Sequence, residues 1–304
     1  MKFSFRALLS GVAFLIMLQA CKQNAGKKTE LDGFMSGTAV FGADESFSPI
    51  IDEELYIFKA AFPDANPVLQ YKAEADVVND LMNDKYRVAI LSRTLDTTEL
   101  GILKRRSLTA DTIRFAVDAI ALIVNQASND TLISVNEIKN MLNGRSKTDK
   151  NIVFDNPNSS LVRYLKTLSG NNGLKQKNIY ALSSSKEVIR YVSTHPNSIG
   201  ITGFSWLNDP DKDYADAVDK VKIVGVRNED SKTAPNQYFK PSQETLVQHT
   251  YPLSRSLYII DCTGRKGLGA GFASFLASER GQRIILKSGL LPDSIPPREI
   301  NIIH

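Results

Sequence analysis

Short β-rich runs alternate with helical patterns along the chain from Leu31 onward. This alternation is typical of an α/β architecture rather than of a β-sandwich or a helix bundle. We predict strands at residues 38–41, 68–71, 88–91, 113–125, 151–155, 198–201, 222–226 and 256–260. We predict helices at residues 49–62, 75–83, 134–142, 159–168, 184–194 and 266–288, the last bending or dividing at Gly281.

Serines open three of these predicted helices. Ser134 is followed three residues later by Glu137, which is the spacing of a capping box. Ser159 and Ser184 are also residues that cap helix N-termini well. The polar segment 228–243, which contains Pro235 and Pro241, is expected to be a loop.

The N-terminus carries the features of a secretory signal. Lys2 and Arg6 form a basic segment, and the apolar run at 7–18 is too short for a transmembrane helix, which needs about 20 residues. The run ends in Leu18-Gln19-Ala20-Cys21, which resembles the lipobox of bacterial lipoproteins. We therefore predict a signal peptide at 1–20, lipidation of Cys21, a tether at 21–30 and a position on the periplasmic side of a bacterial membrane; a permanent single-pass anchor is the alternative.

Composition and charge exclude several classes of protein. Of the 304 residues, 42% are hydrophobic and 23% charged, which argues against disorder and against a multi-span membrane protein. Loss of Lys2 and Arg6 with the signal peptide lowers the net charge from +4 to +2, and no clustered basic face indicates nucleic-acid binding. Cys262 has no partner once Cys21 is lipidated, so we expect a buried, reduced thiol.

The residue inventory argues against an enzyme. The chain has no HExxH or GxSxG motif, and two cysteines cannot build a zinc site. Asp209, Asp211 and Asp213 alternate as in a calcium loop, but the glycine and the later glutamate of an EF-hand are missing, which favours a solvated acidic loop. We expect no catalysis, no cofactor and no metal.

Small hydroxyl-bearing residues or glycines stand between a strand and a helix in four segments, 41–49, 89–94, 154–160 and 199–204. A helix N-terminus offers unpaired N–H groups and a partial positive charge, which suits an oxyanion. Ligands of open α/β sheets also bind at the carboxyl ends of strands. Taken singly, each serine is more simply a helix cap and Arg93 a solvated or ion-paired side chain; taken together, the segments favour an oxyanion site.

These segments occur in sequence order with Tyr251-Pro252-Leu253-Ser254-Arg255, with Phe275-Leu276-Ala277-Ser278-Glu279-Arg280-Gly281-Gln282 and with Gly289-Leu290-Leu291-Pro292. From Gly37 onward the chain thus resembles the phosphate-binding proteins of bacterial high-affinity phosphate uptake, which are type II periplasmic binding proteins. The resemblance implies two α/β lobes, each a mixed sheet flanked by helices, joined by two strand crossovers that act as a hinge. Lobe 1 would comprise residues 31–112 and 252–304, and lobe 2 residues 113–251.

The resemblance also implies a function and a set of site residues. Phosphate or a related oxyanion would be captured between the lobes of a monomer and delivered to an ABC permease. The implied ligand-binding residues are Ser46, Phe47, Ser92, Arg93, Ser159 and Ser160, and the weaker candidates are Asp44, Glu45, Asn158, Arg163 and Gly203. An adaptor or sensor lipoprotein that keeps this fold without serving a transporter is the alternative function.

The second lobe departs from the family pattern. Related proteins carry Arg-x-x-x-Ser-Gly-Thr where this chain reads Asp155-Asn156-Pro157-Asn158-Ser159-Ser160-Leu161. Arg163 is a possible substitute for the missing arginine, but its position predicts that it faces solvent. Asp155 would repel a dianion if it pointed into the cleft. Phe204 and Trp206 are expected to pack in the core or between the lobes, with a stacking platform for a ligand as the alternative.

Overall fold

The computed structural model describes residues 31–146, 149–174 and 176–294. The predicted signal peptide, the tether and Cys21 lie outside these residues. The strands are β1 Gly37–Asp44, β2 Ala65–Lys72, β3 Val88–Leu91, β4 Asp111–Asn125, β5 Leu132–Ser134, β6 Asn151–Phe154, β7 Ile179–Ala181, β8 Ser198–Gly203, β9 Val221–Ile223, β10 Gly225–Arg227, β11 Ser254–Asp261 and β12 Leu291–Pro292.

The helices are α1 Ser48–Ala61, α2 Glu74–Met82, α3 Thr97–Arg105, α4 Val135–Leu142, α5 Ser160–Ser169, α6 Ser185–Thr194, α7 Ser205–Asn208, α8 Ala215–Val218, α9 Gln243–Val247, α10 Leu268–Ala277 and α11 Glu279–Lys287. One 3-10 turn, Glu45–Phe47, joins β1 to α1. None of the helices in the described part of the chain has both the length and the apolar character needed to cross a membrane.

The strands form a continuous mixed sheet in the order β2-β1-β3-β11-β4-β8-β6-β7, with β9 and β12 also paired to β4. β1 is parallel to β2 and β3, β6 is parallel to β7 and β8, and β11 runs antiparallel to β3 and β4. The long strand β4 joins the two halves, since its residues 111–119 pair with β11 and residues 120–125 face β8 and β9. The expected mixed α/β fold is confirmed, whereas the proposed lobe boundaries stay a prediction.

Serine caps begin the helices as the sequence indicates. Ser134 and Glu137 form the predicted capping box of α4, and the Ser159 and Ser184 side chains accept N–H bonds at the starts of α5 and α6. Helix α3 was not predicted, although Asp96 and Glu99 form a capping box that marks its start. Each cap satisfies N–H groups that have no partner within the helix.

Two predicted elements divide differently in the structure. The predicted strand 222–226 is two strands, because β9 pairs with β4 and β10 pairs with β5. The predicted helix 266–288 divides at Ser278, not at Gly281, because Ser278 is extended and its hydroxyl caps α11. Gly281 lies inside α11, where a Cβ would come within 2.4 Å of the Phe275 carbonyl oxygen. That glycine therefore permits close packing rather than a bend.

The largest core cluster packs β1, α1 and α10 together. Phe58 contacts Phe272 and Phe275 in edge-to-face geometry, with ring centroids 5.1 and 5.2 Å apart. Cys262 is a free, fully buried thiol, as predicted, and burial and neighbouring Asp261 raise its pKa to about 12. The segment 228–243 is largely irregular, as expected.

Candidate ligand-binding site

An ion pair between two adjacent strands forms the centre of the site. Arg255 on β11 lies directly opposite Asp118 on β4, and its Nε and Nη2 donate to Asp118 Oδ2 at 2.9 and 2.7 Å. Both side chains are almost completely buried. Burial raises the pKa of Asp118, and the positive charge of Arg255 opposes this rise. Burial would lower the pKa of Arg255, but the negative charges of Asp118 and Asp44 raise it above its usual value. Each charge therefore depends on the other.

Arg255 joins the turn after β1 to the start of α5. Its Nη1 donates to Ser46 Oγ at 3.0 Å and to Ser160 Oγ at 2.7 Å, and these hydroxyl oxygens are 2.9 Å apart. Both serines are fully buried. The structure thus brings together Ser46 and Ser160, which the family resemblance assigns to opposite walls of the cleft.

The Asp44 carboxylate binds N–H groups on both sides of this contact. Its Oδ1 accepts from Ser46 N at 2.9 Å, and its Oδ2 accepts from Ser160 N at 3.2 Å, at the N-terminus of α5. Burial and Glu74 raise the pKa of Asp44, and Arg255 opposes them. Asp44 therefore takes a donor that would otherwise be available to a bound anion.

Asp155 points into the protein and not into solvent. Ser159 Oγ donates to Asp155 Oδ1 and accepts from Val162 N, so this serine serves as the cap of α5. Asp155 Oδ2 is buried and has no hydrogen-bond partner among the described residues. Burial, with Asp44 and Glu45 nearby, raises the pKa of Asp155 well above its usual value, which favours a neutral carboxylic acid.

A second group of charges surrounds Glu74 at the start of α2. Ser92 donates to Glu74 Oε2 from its N–H at 3.2 Å and from its hydroxyl at 2.8 Å. Arg163 donates to Glu74 and, through Nη2, to Ser92 Oγ at 2.8 Å. The prediction that Arg163 faces solvent is therefore only half right, because its side chain is 39% exposed but the helical turn from Ser160 directs its guanidinium to Glu74. Arg93 is held by Glu99, with both contacts at 2.7 Å.

The remaining predicted residues lie around the Ser46–Ser160 contact. Phe47 is buried, with its ring centroid 5.4 Å from Arg255 Cζ, and burial and Asp44 raise the pKa of Glu45 to about 7. Gly203 ends β8 so close by that a Cβ would lie 2.8 Å from the Ser46 carbonyl oxygen. Asn158 is exposed, and its backbone oxygen accepts from Ala75 N at 3.1 Å.

Trp206 is a buried contact and not an open stacking platform. It is 3% exposed, and its Nε1 donates to the Ser46 carbonyl oxygen at 2.9 Å. Asp211 and Asp213 bind Lys186 at the surface. Within residues 31–146, 149–174 and 176–294, no group of three or more potential ligands is arranged to hold a metal ion.

Residues 29–280 match the family model of the PBP superfamily domain, which covers most of the chain. This chain belongs to the PBP superfamily. This chain is 26% identical over 270 residues to the phosphate-binding protein PstS of Borreliella burgdorferi. The match covers 82% of this chain and 88% of the relative.

Solved structures show the same fold. A phosphate ABC transporter substrate-binding protein with bound phosphate from Clostridium perfringens matches with a TM-score of 0.70 and 19% identity, over 85% of this chain and all of that chain. An ABC-type phosphate transport receptor from Vibrio cholerae matches with a TM-score of 0.62 and 18% identity, over 83% of this chain and 99% of the receptor. The two-lobed binding-protein fold expected from the resemblance is confirmed.

Sequence reasoning missed three charged residues of this PBP superfamily member's site: Arg255, Asp118 and Glu74. Arg255 and Asp118 each interrupt an apolar β-strand, and a charge inside such a strand requires a buried partner. That signal indicates burial, but it does not identify the partner 137 positions away. Glu74 gave no such signal, because acidic residues are common in the first turn of a helix.

The arrangement concentrates donors that suit a tetrahedral oxyanion. Two hydroxyls, a guanidinium and a helix N-terminus converge around Ser46 and Ser160, and such groups bind phosphate through charge-assisted hydrogen bonds. The protein's own carboxylates already accept from several of these donors. Two cavities of ≈ 360 and ≈ 740 Å³ lie elsewhere, and neither has Ser46, Ser92 or Ser160 in its lining. An anion would therefore have to displace protein contacts to reach the donors.

Proposed function

We propose that this protein captures inorganic phosphate or a closely related oxyanion between two lobes and delivers it to an ABC permease, without covalent chemistry. The observation that carries the proposal is the convergence of Ser46, Ser160 and Arg255 at the N-terminus of α5. The relatives named above, which are described as phosphate-binding or phosphate-transport proteins, support the same ligand class.

Isothermal titration with phosphate, sulfate and molybdate tests the ligand. We expect heat with phosphate, and we expect Ser160→Ala to weaken binding by about 10- to 150-fold, because a hydrogen bond to a charged group contributes roughly 1.5–3 kcal/mol. Ser169→Ala is the matched control, since that hydroxyl lies in the last turn of α5 and donates to the Leu165 carbonyl oxygen. Absence of heat with all three oxyanions would overturn the proposal.

We further propose that the protein is extracytoplasmic, monomeric and held at the membrane by lipid on Cys21. The support is the sequence pattern at residues 1–21. Cys21→Ser is expected to move the protein from the membrane fraction to the soluble fraction, because each buried lipid methylene contributes about 0.8 kcal/mol to anchoring. Fractionation followed by immunoblotting measures the shift; Cys262→Ser is the control, and a Cys21→Ser protein that stays in the membrane contradicts lipid anchoring.

An adaptor or sensor lipoprotein remains the second candidate function. The favouring observation is that Asp44 and Glu74 already accept from Ser160 and Ser92, donors that a transported anion would use. Genes for a permease and an ATPase beside the gene of this protein would favour uptake, whereas genes for energy-transducing or secretion machinery would favour the adaptor.

A further inference from the structure

The Glu74 carboxylate lies among side-chain and backbone donors that suit an oxyanion. Its side chain is 2% exposed and accepts a backbone N–H and a hydroxyl from Ser92 and hydrogen bonds from the Arg163 guanidinium. Arg93 Nε is 3.5 Å from Glu74 Oε1. A backbone amide, a hydroxyl and guanidinium groups are the donors that proteins use to bind free carboxylates and phosphates.

These donors come from distant parts of the chain. Glu74, Ser92 and Arg93 belong to the predicted lobe 1, and Arg163 belongs to the predicted lobe 2. Beside them Ala75 N donates to the Asn158 carbonyl oxygen, so the first turn of α2 also contacts the loop before α5. The carboxylate therefore connects the two walls of the cleft through its own charge.

We propose that Ser92, Arg93 and Arg163 form an oxyanion-binding subsite that Glu74 occupies as an internal ligand, latching the two walls together. A tethered carboxylate has a high effective concentration, so a free anion at lower concentration competes poorly for the same donors. Burial would raise the pKa of Glu74, but the hydrogen bonds and charge of Arg163 lower it below the usual value, consistent with an ionised ligand. The proposal rests on the proposed function and deepens it. Ser92, Arg93 and Arg163 bind Glu74, so the captured oxyanion does not contact them.

Replacement of the internal ligand by acetate tests the subsite. We expect Glu74→Ala to lower Tm by about 5 °C or more, because Arg163 loses its carboxylate partner and Arg93 keeps only Glu99. Sodium acetate should restore at least half of that loss, and sodium chloride at equal ionic strength should not. Asp80→Asn is the matched control, because Asp80 lies on the same helix and, among the described residues, forms ion pairs with Lys72 and Lys85 alone. Acetate should not change the Tm of this variant beyond the chloride effect.

Glu74→Gln tests the latch if Glu74→Ala does not fold. Small-angle scattering without added oxyanion should give a larger radius of gyration for Glu74→Gln than for the wild type and Asp80→Asn. The same radius for all three proteins, or a Glu74→Ala protein that acetate stabilises no better than chloride does, overturns the proposal. Neither measurement uses phosphate, so a failure of phosphate binding in the titration leaves this test intact.

Discussion

Arg255→Met is expected to abolish oxyanion binding and to lower the free energy of unfolding by about 3–5 kcal/mol, because it leaves Asp118 buried without its counter-charge. The same change removes the donor shared by Ser46 and Ser160. Urea denaturation measures the loss of stability, and titration with phosphate measures the loss of binding.

The double variant Arg255→Met with Asp118→Leu separates the two effects. Replacing both members of a buried ion pair with apolar residues is often neutral or stabilising, so we expect most of the stability to return. Binding should stay absent, because no cation remains between the serines. A double variant that binds phosphate as the wild type does would remove Arg255 from the site.

Asp155→Asn is expected to make the protein more stable than the wild type at neutral pH. The folded-state pKa of Asp155 is raised well above its usual value by burial and by Asp44 and Glu45. Between the unfolded and folded pKa values, the unfolded state ionises and the folded state stays protonated, so the wild type loses up to about 1.4 kcal/mol of stability per pH unit. Asparagine cannot ionise, so the variant avoids this loss.

Urea denaturation at several pH values from about 4 to 8 measures this difference. The advantage of Asp155→Asn should be small or absent near the unfolded pKa of about 4 and should grow as pH rises. Asp230→Asn, on an exposed loop, is the matched control and should follow the wild-type profile. An Asp155→Asn curve parallel to that of the wild type would show that Asp155 is ionised in the folded protein.

Local signals in the sequence predicted local structure well. Ser134, Ser159 and Ser184 begin their helices because a short polar side chain can cap an N-terminus without help from distant residues. We predicted the division of the last helical region at Gly281 because glycine often interrupts a helix, but the division is at Ser278. Gly281 lies inside α11, where close contact with Phe275 leaves no room for a Cβ. The sequence shows that a glycine occupies position 281, but it does not show the packing contact that requires a glycine.

The candidate site was predicted only in part for the same reason. Ser46 and Ser160 follow strands, which is a local pattern, and the structure brings them into contact. The pairs Arg255–Asp118 and Arg163–Glu74 depend on strand register and lobe contact, which no local pattern specifies. The arginine of the family motif is missing before Ser160. The cation that contacts Ser160 is instead Arg255, which lies on the distant strand β11.

A crystal structure of the protein grown with phosphate tests the central claim most directly. The account predicts a phosphate bound by Ser46 Oγ, Ser160 Oγ and Arg255. The Ser160 N–H should donate its hydrogen bond to a phosphate oxygen instead of to Asp44. Glu74 should still be bound to Ser92 and Arg163. Phosphate bound away from Ser46, Ser160 and Arg255, or a crystal that contains no phosphate at saturating concentration, would contradict it.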